Sequence, residues 1–240
     1  KKKFNSSFNS DTFIIYLNKL IDSSEIIAID EYISLYEFYD TERNILSNIN
    51  RISNITDSIS DDKIKKELEK YEKKYSIEFG VDQIEAITGA IKNNFYIITG
   101  GPGTGKTTII KAIVNLLESV CKIDKKDIAL LAPTGRSAKR MMQSVGVSAY
   151  TIHKFLKWNK ENGTFQIDEY NKAQEKVIIV DEASMVDIFL FNSLLKGLKL
   201  NVKLLLIGDE NQLPSIGPGD LLHDLLRMSH LKNKYLKTIY

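Results

Sequence analysis

Eight consecutive residues constrain this chain more than any other stretch: Gly100-Gly101-Pro102-Gly103-Thr104-Gly105-Lys106-Thr107, which fits G-x-x-x-x-G-K-[ST]. An apolar run, Phe95-Tyr96-Ile97-Ile98-Thr99, stands directly before it, and a helical run, Thr108 to Leu117, directly after. Strand, glycine-rich turn, helix is the setting that gives the pattern physical meaning. Glycines let backbone N–H groups turn toward an anion with no Cβ in the way. The following helix presents its N-terminus to negative charge. The sequence thus predicts a phosphate-binding loop built from Gly101, Pro102, Gly103, Thr104, Gly105, Lys106, Thr107 and Thr108. Lys106 is expected to reach the β- and γ-phosphates of ATP, and Thr107 to offer its hydroxyl to Mg2+.

Three more apolar runs follow: Ile128 to Ala132, Val177 to Val180 and Lys203 to Ile207. They are continuous rather than alternating, as expected of parallel strands buried on both faces. Helical segments lie between them, which predicts an α/β fold with a parallel sheet flanked by helices. A polar insertion after Trp158, Asn159 to Phe165, reads as a turn or small hairpin. The N-terminal third is different. It has no proline, and no glycine before Gly80. Phe13, Leu17, Leu20, Ile21, then Ile33, Leu35, Tyr36 and Tyr39 recur at helical spacing. Thr41 reads as the N-cap of a helix carrying Ile45, Ile49 and Ile52. Asp61 or Asp62 opens a lysine–glutamate helix running to Tyr75. The expected organisation is a small all-helical region, 1–78, ahead of an α/β domain, 79–240.

Composition excludes more than it identifies. Lys and Arg exceed Asp and Glu by only two charges, so the chain as a whole is not basic, although a local groove could be. One cysteine, Cys121, cannot form an internal disulfide and reads as core filler at a helix end. No apolar run approaches the roughly 20 residues of a bilayer span, so no membrane association and a cytoplasmic location are expected. The lysines at positions 1–3 read as solvated.

Val177-Ile178-Ile179-Val180 ends in Asp181-Glu182, an apolar strand closing on two carboxylates. Downstream of a phosphate loop, Asp181 is expected to hold Mg2+ through its water shell. Glu182 is expected to orient and deprotonate an attacking water. From here the sequence resembles a known family, the RecD-like superfamily 1 DNA helicases. The segments that carry the resemblance are Ile98 to Thr108, Leu131 to Met141, Thr151-Ile152-His153-Lys154-Phe155-Leu156, Asp181 to Asp187, and Leu206 to Leu222. Val81-Asp82-Gln83 stands at the right interval before the loop, and the likeness is looser ahead of Val81.

The resemblance implies a RecA-like P-loop NTPase domain and 5′-to-3′ movement on DNA in repair and recombination. It implies that Gln212 senses the γ-phosphate and that Gln83 reads adenine. It also implies that Pro133, Thr134, Arg136 and His153 contact a single-stranded DNA backbone. Two versions stay open, a stand-alone helicase and the α subunit of a helicase–nuclease complex, exodeoxyribonuclease V, with nuclease-complex subunits as partners. The contrasting class is a P-loop switch that binds DNA without translocating. In the family, a segment like Leu236 to Tyr240 runs into an Arg-Gln pair and later a second RecA-like domain. The expectation is therefore a fragment that binds nucleotide and unwinds nothing alone.

Overall fold

The computed structural model describes residues 9–56 and 58–239. The lysines at positions 1–3 and Tyr240 lie outside the described residues. The chain divides into two compact units, Lys1–Asn44 and Ile45–Tyr240.

In the first unit, helix α1 (Ser10–Asp22) is capped by Asn9, whose Oδ1 accepts the Asp11 N–H at 2.9 Å. Two short antiparallel strands follow, β1 (Ile26–Ile29) and β2 (Tyr32–Leu35). This hairpin corrects the all-helical expectation. Ile26, Ile27 and Ile29 are β-branched, and Asp30 adopts φ +51° in the two-residue turn, a conformation Asp tolerates. Helix α2 (Tyr36–Ser53) then starts five residues before Thr41. Thr41 is therefore a helix-interior residue, buried at 5% exposure, and not an N-cap. No breaker separates it from Tyr36, so the helix extends back to the strand.

In the second unit, α3 (Asp61–Tyr75) carries Asp61 and Asp62 in its first turn, where the helix dipole favours them, with Ser60 at the N-cap position. It is more than a solvated helix, because Ile64, Leu68 and Tyr71 are buried in the main core. That packing explains why the compact units divide at 44/45, ahead of the expected 78/79. Helix α4 (Val81–Lys92) leads into β3 (Phe95–Gly100). Then come α5 (Lys106–Ser119), β4 (Ile128–Ala132), α6 (Gly135–Val145), β5 (Ala149–Thr151) and α7 (Ile152–Phe155). The insertion forms the hairpin β6 (Trp158–Asn159) and β7 (Thr164–Phe165). The chain continues through β8 (Val177–Val180), α8 (Ile188–Gly197), β9 (Lys203–Gly208), α9 (Leu221–Arg227) and β10 (Asn233–Leu236).

Six strands form one parallel sheet in the order β10-β3-β9-β8-β4-β5. The four central strands are the four apolar runs of the sequence. The chain moves one way across the sheet from β3 to β5 and the other way from β8 to β10. Right-handed crossovers therefore put α5 and α6 on one face, and α8 and α9 on the other. Side chains alternate accordingly. Ile98, Leu130, Ile179, Leu205 and Ile207 join the core beneath α4, α5 and α6. Ile97, Leu131, Ile178 and Leu206, their chain neighbours, are equally buried on the opposite face. Cys121 packs half-buried at the core's edge, as expected. Met141 is buried, whereas its neighbour Met142 is 46% exposed. Among the described residues, no helix is long and apolar enough to cross a membrane.

Candidate functional site

All six strands run the same way, so their C-terminal ends share one edge of the sheet, where ligands bind in open α/β folds. Strand β3 delivers the phosphate loop there. Gly103 and Gly105 both sit at φ +80°, where a side chain would strain the backbone, and Gly105 occupies the N-cap position of α5. The loop braces itself. Thr104 is buried, and its Oγ1 donates to Gly101 O at 2.8 Å. Lys106 Nζ donates to Gly100 O at 2.5 Å and Gly101 O at 2.8 Å. Burial lowers the Lys106 pKa, while the negative charges of Asp209 and Asp181 raise it.

Strand β8 is followed by Asp181, whose N–H donates to Leu131 O at 2.8 Å. Burial holds the Asp181 carboxyl above the usual carboxylate range. The backbone hydrogen bond from Glu182 lowers it, the Glu182 charge raises it, and Lys106 lowers it. Glu182 adopts the left-handed conformation, φ +53° and ψ +40°, as the chain turns into a short 3-10 helix, Ala183–Met185. Between β3 and β8 lies β9, which ends at Gly208. Asp209 follows it, only 3% exposed. Its Oδ1 accepts the Asn211 N–H at 3.0 Å, and the Glu210 N–H donates to Thr99 Oγ1 at 3.2 Å, fastening this loop to the end of β3. Gln212 is exposed just beyond, with its backbone N–H on Asp209 O at 3.2 Å.

The donor set suits a magnesium nucleotide. Thr107 is exposed in the first turn of α5, and Asp181 stands two strands away at the same edge. Among the described residues no cluster of three or more His, Cys, Asp or Glu could hold a metal unaided. Mg2+ in nucleotide sites binds through one or two protein oxygens and completes its shell with phosphates and water.

Gln83, expected to meet the base, is 4% exposed and spends its amide on the protein. Its Nε2 donates to Thr104 O at 3.0 Å, and its Oε1 accepts the Gly80 N–H at 3.1 Å. It forms one wall of a recess of about 250 Å³ beside the loop, shared with Ile77, Phe79, Gly105 and Thr108.

The residues expected at DNA fall on adjacent strand ends. β4 pairs with β5 in the register Ala132↔Thr151, so Pro133 to Arg136 and Ile152-His153 emerge side by side. Thr134 caps α6, its Oγ1 accepting the Ser137 N–H at 3.2 Å. Arg136 and His153 are exposed. The His153 ring lies 6.1 Å from Trp158 and 5.8 Å from Phe165, so the hairpin stands against it.

Two residues of the site escaped the sequence reading. Asp209 lies inside a quoted segment, and its place directly after an apolar run was the available signal. Ser137 gave none. Its Oγ donates to Glu182 Oε2 at 2.7 Å across 45 residues, a contact only the fold creates.

The family model described as AAA domain matches residues 83–218. The RecBCD enzyme subunit RecD of Haemophilus influenzae is 35% identical over 209 residues, covering 75% of this chain and 32% of its own length. The ATP-dependent RecD2 DNA helicase of Deinococcus radiodurans is 34% identical over 138 residues, covering 58% of this chain and 18% of its own. The chain thus spans about a third, or less, of these curated relatives. Among solved structures, the Pif1 helicase of Candida albicans superposes with a TM-score of 0.50 at 22% identity, covering 68% of this chain and 41% of that one. That likeness bears on the fold, and it agrees with the RecA-like expectation.

Proposed function

We propose, from the premise that the chain belongs to the AAA domain family and within it to the RecD-like superfamily 1 helicases, that it is the ATP-hydrolysing motor domain of a 5′-to-3′ DNA helicase acting in repair and recombination. One observation carries this reading. The phosphate loop, the Asp181-Glu182 pair and the two strand-end loops of the DNA set hang from a single edge of one parallel sheet.

The residues divide the work by chemistry. Backbone N–H groups of Gly103 to Lys106 and the α5 N-terminus hold the phosphates, and Lys106 places a cation against them. The Lys106 ammonium donates to the Gly100 and Gly101 carbonyls, and the nearby Asp209 and Asp181 favour its charged form. Thr107 and Asp181 would hold Mg2+, which when bound would neutralise phosphate charge. Glu182 takes the proton of the attacking water on its carboxylate. Gln212, on the loop fastened to Thr99, answers to the γ-phosphate. Ile77, Phe79 and Gln83 form the wall against which the nucleobase lies. Pro133, Thr134, Arg136 and His153 grip a single-stranded backbone through phosphates and small polar contacts, without reading sequence.

The test is ATP turnover of the full-length protein with and without single-stranded DNA, beside a Lys106→Ala variant. Severalfold stimulation, lost in the variant, is the expected outcome. Turnover that ignores DNA while Mg-ATP still binds would make this a nucleotide switch. Nuclease-complex subunits are the proposed partners of the exodeoxyribonuclease V version. Co-purification with such subunits separates it from the stand-alone helicase.

A further inference from the structure

The first turn of α4 carries two neighbouring residues that reach the phosphate loop by different routes. Gln83 reaches it directly, through Thr104 O. Asp82 reaches it through the segment that follows β10. Its Oδ1 accepts the Gln83 N–H at 3.0 Å, and its Oδ2 accepts the N–H groups of Lys237 at 2.8 Å and Thr238 at 3.1 Å. Three residues further along α4, Glu85 is ion-paired with Lys234 of β10. Burial pushes the Asp82 carboxyl up, but the N–H groups of Thr238, Lys237 and Gln83 outweigh it and hold the pKa below the usual carboxylate range. The carboxylate is therefore charged at neutral pH, and its hydrogen bonds are of the stronger, charge-assisted kind.

The segment that Asp82 holds lies against the loop. Strand β10 pairs with β3 in the register Leu236↔Gly100. A Cβ at Gly100 would meet Leu236 Cβ at 2.8 Å, and one at Gly103 would meet Ile239 Cγ2 at 3.1 Å. Leu236 is buried, whereas Ile239 is 74% exposed. Burial therefore does little to fix Ile239, and its place depends on the backbone just before it.

We infer that Asp82 is a positioning residue for nucleotide binding: by pinning Lys237 and Thr238 it seats Ile239 against Gly103 and keeps the phosphate loop in the form that receives phosphates. The inference rests on the nucleotide reading above. A glycine-rich loop has other conformations open to it. Gln83 restrains this one at Thr104, and Leu236 and Ile239 restrain it at Gly100 and Gly103. With the second restraint gone, the incoming nucleotide must order the loop itself, and that cost is subtracted from its affinity. Ground state and transition state lose equally, so the effect belongs to KM and not to kcat.

The experiment is equilibrium binding of a fluorescent ATP analogue with Mg2+, beside steady-state ATPase, on the full-length protein. The variants are Asp82→Ala, Asp82→Asn, Ile239→Ala and the double variant of Asp82→Ala with Ile239→Ala. Asp82→Ala and Ile239→Ala are each expected to raise Kd and KM severalfold, with kcat at saturating ATP little changed. Asp82→Asn keeps an uncharged acceptor and lies between Asp82→Ala and the unaltered protein. The double variant is no worse than Asp82→Ala, because both changes act through one segment. Negative charge at a helix N-terminus is stabilising in any case. A carboxylate serving only that end would lower the thermal midpoint and leave Kd and KM in place, and that result overturns the inference. Should Asp82→Ala fail to fold, Ile239→Ala at its exposed position still decides, since an unchanged Kd there refutes the seat on Gly103. An unaltered protein that binds no Mg-ATP fails the nucleotide reading instead, and the unaltered arm shows this by itself.

Discussion

At the scale of single residues, the proposed chemistry draws on four residues that folding brings to one edge of the sheet: Lys106, Asp181, Glu182 and Asp209. Burial raises the Asp181 pKa, so this carboxyl keeps its proton to a higher pH than a free aspartate. On the proposed role of Asp181, proton and Mg2+ would compete for it. As pH falls from neutral, Mg-ATP affinity is expected to weaken earlier than ordinary carboxylate titration would allow. Asp181→Asn should bind weakly and show little of this pH dependence. Titration calorimetry across the acid range checks both. Removing the proposed base by Glu182→Gln should leave nucleotide affinity near that of the unaltered protein and lower turnover by about 10²-fold or more, the usual size of a lost general base. A large loss of affinity instead would make Glu182 part of the binding site. Lys106, Thr107, Asp181 and Glu182 were legible in sequence because each sits at a fixed offset from a run of apolar residues. The Ser137–Glu182 bond was not, since its partners lie 45 positions apart and meet only through the β4–β8 pairing.

Among the elements, α5 is the one on which the site most depends. It buries Ile109, Ile110, Ile113, Leu116 and Leu117, each stabilising the fold by about 1.5–3 kcal/mol. Ile113→Ala should cost about 2–5 kcal/mol in urea unfolding, because the cavity beneath the sheet cannot close fully. Helix α6 depends on its cap. Thr134→Ala should cost about 1 kcal/mol of stability. It should also weaken binding of single-stranded oligonucleotides, a double effect that a merely structural cap would not give. The four central strands were legible because parallel strands buried on both faces leave unbroken apolar runs. Strands β1 and β2 were obscured because Ile33, Leu35, Tyr36 and Tyr39 also satisfy a helical spacing. Strands β5 and β10 were missed for another reason. Edge strands face water on one side, so Ala149-Tyr150-Thr151 and Asn233-Lys234-Tyr235 carry no apolar signature.

The whole molecule sets what this chain can do by itself. Residues 1–240 alone are expected to bind Mg-ATP through the phosphate loop, with the affinity lost in a Lys106→Ala variant. Arg136→Ala in the full-length protein should lower the salt slope of single-strand binding by about 0.7 if it meets one phosphate. The parallel sheet has one more consequence. Because every strand points the same way, the molecule has a working end and a far end. The turns ahead of β4 and β9 carry the exposed Lys126 and Asn201. A dye, a bead or a surface tether attached at either turn would grip the domain by its handle, leaving the moving parts free for single-molecule observation.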